Sequence, residues 1–121
     1  MPAPSSSRRR SAEKAGRLAE TLAALFLVAK GYRLLAQRFV ARGGEIDLVT
    51  RKAGTLVFVE VKLRRTLEEA RLAVTPRNAA RIRAAADAYL ARKALRTDLP
   101  LRYDIVAVSP RGIRHIRDAF R

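Results

Sequence analysis

Gly44-Glu45-Ile46-Asp47-Leu48-Val49 and Phe58-Val59-Glu60-Val61-Lys62 are the two stretches of this chain whose residue types and spacing suit chemistry. Both are rich in Val, Ile, Leu and Phe, the composition of strands. The Lys52-Ala53-Gly54 turn between them predicts an antiparallel hairpin in which Asp47 faces Glu60, Glu45 faces Lys62 and Val49 faces Phe58. Side chains alternate across a strand, so Ile46, Leu48, Val57, Val59, Val61 and Leu63 share an apolar, core-covering face. Glu45, Asp47, Glu60 and Lys62 share the other, with Val49 and Phe58 nearer the turn. Carboxylates placed directly opposite each other destabilise a sheet. At ~5 Å and an effective dielectric of ~20 the repulsion is about 3 kcal/mol. A cation has to relieve it, either Lys62 or a divalent metal. Oxygen ligands suit Mg²⁺ or Mn²⁺, and a chain with no cysteine and one histidine does not suit zinc. The residues alone also leave a plainer reading open: a Glu45–Lys62 surface pair worth ~0–1 kcal/mol, with Asp47 and Glu60 simply solvated. A one-residue slip in register would part the acids altogether.

The rest of the chain has to hold that hairpin. Ser11 is placed to N-cap a helix that runs to about Lys30 and closes on Gly31. Leu18, Leu22, Leu25, Phe26 and Ala29 form its apolar stripe. Tyr32 to Phe39 reads as a strand and Arg42-Gly43-Gly44 as a turn. The hairpin strands follow at 45–50 and 56–63. Arg64 to Val74 reads as a loop with a helical turn. Thr75-Pro76 is an N-cap followed by proline at the first helical position, opening a helix to about Lys93 with Ile82, Ala85, Ala86, Tyr89 and Leu90 inward. Leu101 to Ser109 is a strand, Pro110-Arg111-Gly112 a turn, and Ile113 to Ile116 a short partner strand. The order α-β-β-β-α-β-β predicts an α/β or α+β domain with a mixed sheet flanked by helices.

The chain has 121 residues, room for one domain, and its 49% hydrophobic content supplies a core. The absence of cysteine excludes disulfides and thiolate chemistry. No apolar run approaches the ~20 residues of a membrane helix. Residues 1–10, rich in Pro and Ser and ending in Arg8-Arg9-Arg10, read as a disordered basic tail ahead of a domain over 11–121. A short transit peptide is the other reading, and no apolar stretch of a secretory signal is present. The expected location is the cytoplasm. Lys and Arg total 26 against 11 acids, a net charge of +15, which attracts polyanions. Nucleic acid is the expected partner; an anionic membrane surface or an acidic protein competes, and arginine-rich coding bias also contributes.

The two hairpin segments resemble the signature of the YraN family, small bacterial proteins of the restriction-endonuclease-like, or PD-(D/E)xK, superfamily. The resemblance extends over residues 11 to 121: Gly16 and Glu20 on the first helix, Gly31-Tyr32, Ala86-Tyr89-Leu90, Arg102-Tyr103-Asp104-Ile105-Val106 and Ala119-Phe120. It implies a mixed sheet flanked by helices whose acid pair holds one or two Mg²⁺ ions and whose lysine orients or activates the attacking water. Carried over, Asp47 and Glu60 are metal ligands, Lys62 the water-positioning cation, Val61 a carbonyl donor and Glu20 an auxiliary acid. There are two departures. Asn78, beside Arg77 and Arg81, stands where the family usually has a lysine, and Arg38 where it often has an asparagine late in the first strand. They put an auxiliary phosphate contact in doubt, not the metal site.

Other residues have competing readings. Glu20 lies half a turn from the leucine stripe and so points to solvent, unless Gly16, Ala23, Ala24 and Leu27 form a second buried face. Glu45 either supports the ligand pair or pairs with Lys62, the first being favoured. Asp104 reads as a structural ion-pair partner and His115 as a lone surface residue, which disfavours a Ser-His-Asp triad. Arg64 and Arg65, and with less support Arg77 and Arg81, are expected phosphate contacts; Arg83 and Asp87 are spaced to pair with each other. The expected function is a Mg²⁺- or Mn²⁺-dependent endonuclease-like protein acting on DNA rather than RNA. The rivals are a nucleic-acid binder without turnover and a module that docks on ribosomes or acidic proteins. Nothing in the residues indicates an oligomeric state.

Overall fold

The computed structural model describes residues 6–93 and 98–121. Helix α1 (Ser6–Ala29) leads into three strands, β1 (Arg33–Ala41), β2 (Gly44–Lys52) and β3 (Thr55–Leu63). Helices α2 (Leu67–Leu72) and α3 (Pro76–Arg92) precede strands β4 (Leu101–Ser109) and β5 (Gly112–Ile116). The sheet has five strands in the order β1-β2-β3-β4-β5. All its pairings are antiparallel except β3 with β4, which is parallel. That one parallel step is bridged by α2 and α3, as a crossover requires. The result is a mixed α+β domain, consistent with the restriction-endonuclease-like architecture.

Helix α1 begins at Ser6, not Ser11, so it includes Arg8, Arg9 and Arg10. Nothing between Ser6 and Ser11 breaks a helix, and arginine favours one. The part of the expected tail at residues 1–5 lies outside the described residues. The buried face of α1 is also not the leucine stripe. Ala19, Ala23, Ala24 and Leu27 pack on the sheet, while Leu18, Leu22, Leu25 and Val28 are exposed. The helix is apolar nearly all round from Leu18 on, so spacing cannot choose a face; the small side chains let it approach the sheet closely. This is the face that carries Glu20.

The second long helix follows its pattern. Thr75 Oγ1 accepts the Asn78 N–H, Pro76 occupies the first turn, and Ala79, Ile82, Ala85, Ala86 and Tyr89 are buried. Helix α2 makes a regular element of the expected helical turn, capped by Thr66 on the Glu69 N–H.

The hairpin closes through Ala53 and Gly54, both at positive φ (51° and 80°), as a two-residue primed turn demands. Its register pairs Leu48 with Val59 and Val49 with Phe58, as expected. Both faces of the sheet are covered. Leu48, Val57, Val59, Val106 and Val108 pack under α1. Ile46, Val49, Leu56 and Phe58 pack under α3, and Ile105 and Ala107 join Ala70 of α2. Ile46 therefore does not share a face with Leu48, and Leu63 is exposed rather than part of the core. The reason lies in β1. The β1–β2 ladder runs from Gln37–Leu48 to Phe39–Ile46 without an Arg38–Asp47 pair. Arg38 has φ of 50°, and this left-handed residue resets the alternation of both strands.

Candidate functional site

Strands β2 and β3 part company at the acids. The β2–β3 ladder ends at Leu48–Val59. Beyond it, Ile46, Glu45 and Gly44 pair only with β1, and Glu60 to Leu63 pair only with β4. Asp47 sits in this fork. Its Oδ2 accepts the Val61 N–H at 2.7 Å, so the side chain replaces the acceptor that the separating strand withdraws. Close packing of β2 on α3 supports the fork. A Cβ on Gly43 would lie 2.9 Å from that of Ala84, and one on Gly44 would strike the Arg81 carbonyl oxygen.

Glu60 and Lys62 leave β3 beside Ile105 and Ala107 of β4, which lie under α2. Phe58, two residues earlier, lies under α3. The acid and lysine thus emerge between the two helices. Lys62 Nζ is 3.1 Å from Glu60 Oε1, and both side chains are largely buried. The expected Glu45–Lys62 pairing is replaced by Glu60–Lys62, because the strands have already diverged where Glu45 stands. Glu45 itself is exposed.

The carboxyl groups are held against their own ionisation. Burial, then repulsion by Glu60, pushes Asp47 up to about 7, even though the Val61 N–H favours its charged form. Burial also raises Glu60, against the opposing pull of Lys62 and a hydrogen bond to Asp47. Each group acts on the other's ionisation. A hard divalent cation would relieve the repulsion between them, and the oxygen donors of Asp47, Glu60 and the Val61 carbonyl are of the kind that suits Mg²⁺ or Mn²⁺. Among the described residues, however, no three His, Cys, Asp or Glu side chains gather as a complete metal cage.

Glu20 does face the site: it bears on Asp47 electrostatically and is mostly buried, on the second face of α1. Its carboxylate is taken by Arg38, with Nε 2.8 Å from Oε2. Arg38 was not among the expected site residues, because strand alternation cannot foresee a left-handed backbone. Arg64 and Arg65 line a surface hollow with Leu63, Glu69 and Pro110 at the end of β3. Arg81 lies on α3 against Gly44, beside Glu45, and Arg77 one turn earlier; both are exposed.

A second polar cluster lies under α1, away from the fork. Asp104 is fully buried and accepts from Arg102 through both oxygens, from the Asp118 N–H and from His115 Nε2 at 2.7 Å. Arg102 also donates to the Tyr32 hydroxyl, and Lys30 Nζ lies 2.7 Å from His115 Nδ1. Burial would raise Asp104, but the hydrogen bonds from His115, Arg102 and the Asp118 N–H outweigh it and hold the group at about 2. The ion-pair expectation for Asp104 matches this geometry. The surface expectation for His115 does not: its side chain is 3% exposed, because β5 folds it onto Tyr32 and Phe26. Arg83 likewise reaches the Arg121 carbonyl instead of resting on an exposed helix face with Asp87.

Residues 19–108 match the family described as uncharacterised protein family UPF0102. The chain belongs to that family, the YraN family. It is 50% identical over 120 residues to a UPF0102 protein of Methylorubrum extorquens (strain PA1), covering 98% of this chain and 94% of the relative. A UPF0102 protein of Methylorubrum populi (strain ATCC BAA-705 / NCIMB 13946 / BJ001) is 52% identical over 114 residues, 93% of this chain and 91% of the relative. One from Bradyrhizobium sp. (strain ORS 278) is 49% identical over 111 residues, 91% of this chain and 79% of the relative. No described helix in this YraN-family chain is long and apolar enough to cross a membrane.

Proposed function

We propose that this chain is a cytoplasmic Mg²⁺- or Mn²⁺-dependent nuclease that hydrolyses phosphodiester bonds, in DNA rather than RNA. The observation that carries the reading is the fork: two largely buried carboxyls with a lysine 3.1 Å from one of them, in a chain of net charge +15. A pure binder has no use for opposed acids that repel phosphate. Asp47 and Glu60, with the Val61 carbonyl, would hold the cation, which when bound lowers the pKa of water and neutralises charge developing on the phosphate. Lys62, fixed by Glu60, orients the attacking water and supplies positive charge where the phosphorus becomes more anionic. The separation of β2 from β3 leaves the pair open to a substrate backbone. Arg64, Arg65, Arg77 and Arg81 are the phosphate contacts around it.

The incomplete acid set favours one rival, a nucleic-acid-binding module of the same fold without turnover. Labelled linear, branched and single-stranded DNA and RNA, incubated with the protein in Mn²⁺, Mg²⁺ or EDTA, separate the two. Cleavage that needs the cation and falls ~100-fold or more in Glu60→Ala and Lys62→Ala supports the nuclease. Variants that cut as well as wild type overturn the site. Binding without cleavage, and no heat of cation binding in calorimetry, supports the rival.

A further inference from the structure

Arg38 is the one non-glycine residue of β1 at positive φ, 50°, a conformation that costs a non-glycine residue on the order of 1 kcal/mol. Strain of this kind is kept where the surrounding structure imposes it and a site uses it. Here its effect is directional. The burial alternation of β1 breaks at Gln37 and Arg38, which are both exposed, and the Arg38 side chain reaches Glu20 of α1. Only Nε is engaged, at 2.8 Å from Glu20 Oε2. The two terminal nitrogens of the guanidinium make no hydrogen bond among the described residues, and the side chain is 46% exposed. The flanking pairs Gln37–Leu48 and Phe39–Ile46 set Arg38 across from Asp47, and Asp47 and Glu45 both act on its charge, so the side chain stands beside the acid fork.

We propose that Arg38 is a phosphate clamp of the site and that Glu20 is its positioning residue rather than a metal ligand. A guanidinium presents paired N–H groups matched to two oxygens of a phosphate. An arginine anchored at Nε by a carboxylate keeps that terminal pair free and aimed. Glu20, already committed to Arg38, is thereby kept out of the metal's ligand set, which agrees with the absence of a three-acid cage among the described residues. Arg38 and Lys62 then stand as two cations around the acid pair, one for the backbone of the bound strand and one for the water.

This inference rests on the nucleic-acid reading of the site but not on turnover, and its test uses binding in EDTA. Affinity of a labelled single-stranded DNA is measured by fluorescence anisotropy across a salt series for the full chain, Arg38→Ala, Arg38→Lys, Arg38→Gly and Glu20→Gln. Loss of one phosphate contact lowers the slope of log K against log salt by ~0.7 for a single strand. Arg38→Ala and Arg38→Gly are expected to show that drop and Arg38→Lys to keep the slope. Arg38→Gly relieves the backbone, so its thermal unfolding midpoint stays at or above that of wild type and separates lost contact from lost fold. Mn²⁺ affinity of Glu20→Gln, by calorimetry, is expected within about twofold of wild type, since even loss of a group that only supports a ligand costs about tenfold or more. An unchanged salt slope in Arg38→Ala and Arg38→Gly, or a tenfold loss of Mn²⁺ affinity in Glu20→Gln, overturns the proposal. Failure of every DNA and RNA substrate to be cut, with the slope change present, removes the nuclease reading and leaves the clamp standing.

Discussion

Asp47 shows how a residue can be placed by register and still be misjudged in its chemistry. The hairpin register was legible, because a two-residue turn with glycine and two apolar runs leave one good pairing. What spacing could not contain is the parting of the strands, which makes Asp47 an acceptor for Val61 rather than a solvated neighbour of Glu60. The consequence is testable without metal. The Asp47 carboxyl ionises at about 7 in the fold against 3.8 ordinarily. Below the ordinary value both folded and unfolded chains hold the proton. Above it only the folded chain does, so the fold loses stability as pH rises, until the loss levels off beyond about 7. In an Asp47→Asn variant the side-chain amide oxygen still accepts the Val61 N–H, and the group never ionises. In EDTA the variant should gain on wild type between pH 4 and pH 8, by on the order of 4 kcal/mol in urea unfolding. A constant difference across that range would show that Asp47 ionises freely. Arg38 was illegible for another reason: its role depends on a backbone angle.

At the scale of elements, patterns with one clear apolar side were readable and those without were not. Helix α3 has small and apolar residues on one side, a threonine cap and an early proline, and it forms nearly within its expected bounds. Helix α1 is apolar on several sides, and the leucines that dominate its pattern turn outward while the alanines pack. The strand that carries Asp104 was placed together with its near neighbour Arg102, but the rest of the cluster comes from elements far apart in sequence, which no local pattern reveals. Arg102 is two residues away on β4, His115 is on β5, Tyr32 and Lys30 follow the end of α1, and the Asp118 N–H belongs to the C-terminal segment. One buried carboxylate thus joins the second half of the sheet to the first helix. Its folded pKa lies at about 2, below the ordinary 3.8. The stabilisation is therefore complete above the ordinary value and is lost as pH falls through about 2. An Asp104→Asn variant should be less stable than wild type by about 2 kcal/mol at pH 7, with the deficit shrinking as pH drops below 4. A deficit that does not change with pH would mean that packing, not charge, accounts for it.

Across the whole molecule, charge is both the easiest property to read and the least specific. A net charge of +15 attracts any polyanion, and it would do so with the cations scattered at random. The fold distributes them unevenly: Arg64 and Arg65 leave β3 at the end that carries Lys62, Arg81 lies beside the start of β2, and Arg38 reaches the fork. Arg8, Arg9 and Arg10, by contrast, stand at the far N-terminal end of α1, ten or more residues from Glu20, or about 15 Å along the helix at 1.5 Å per residue. Bulk attraction and an organised site therefore differ in which charges count. If Arg38, Arg64, Arg65, Arg77 and Arg81 each neutralise one phosphate, log K for duplex DNA should fall with log salt at a slope of about −4.5. Removing two of these contacts in an Arg64→Ala/Arg65→Ala double variant should lower the magnitude of the slope by about 2. An Arg9→Ala/Arg10→Ala double variant loses the same net charge and should leave the slope nearly as it was. Equal effects of the two pairs would mean that DNA responds to the field of the whole protein and not to the fork. A wild-type slope near zero would mean that phosphate neutralisation does not drive binding at all. The comparison holds net charge constant, so it tests the arrangement of charge, the part of the electrostatics that only the fold supplies.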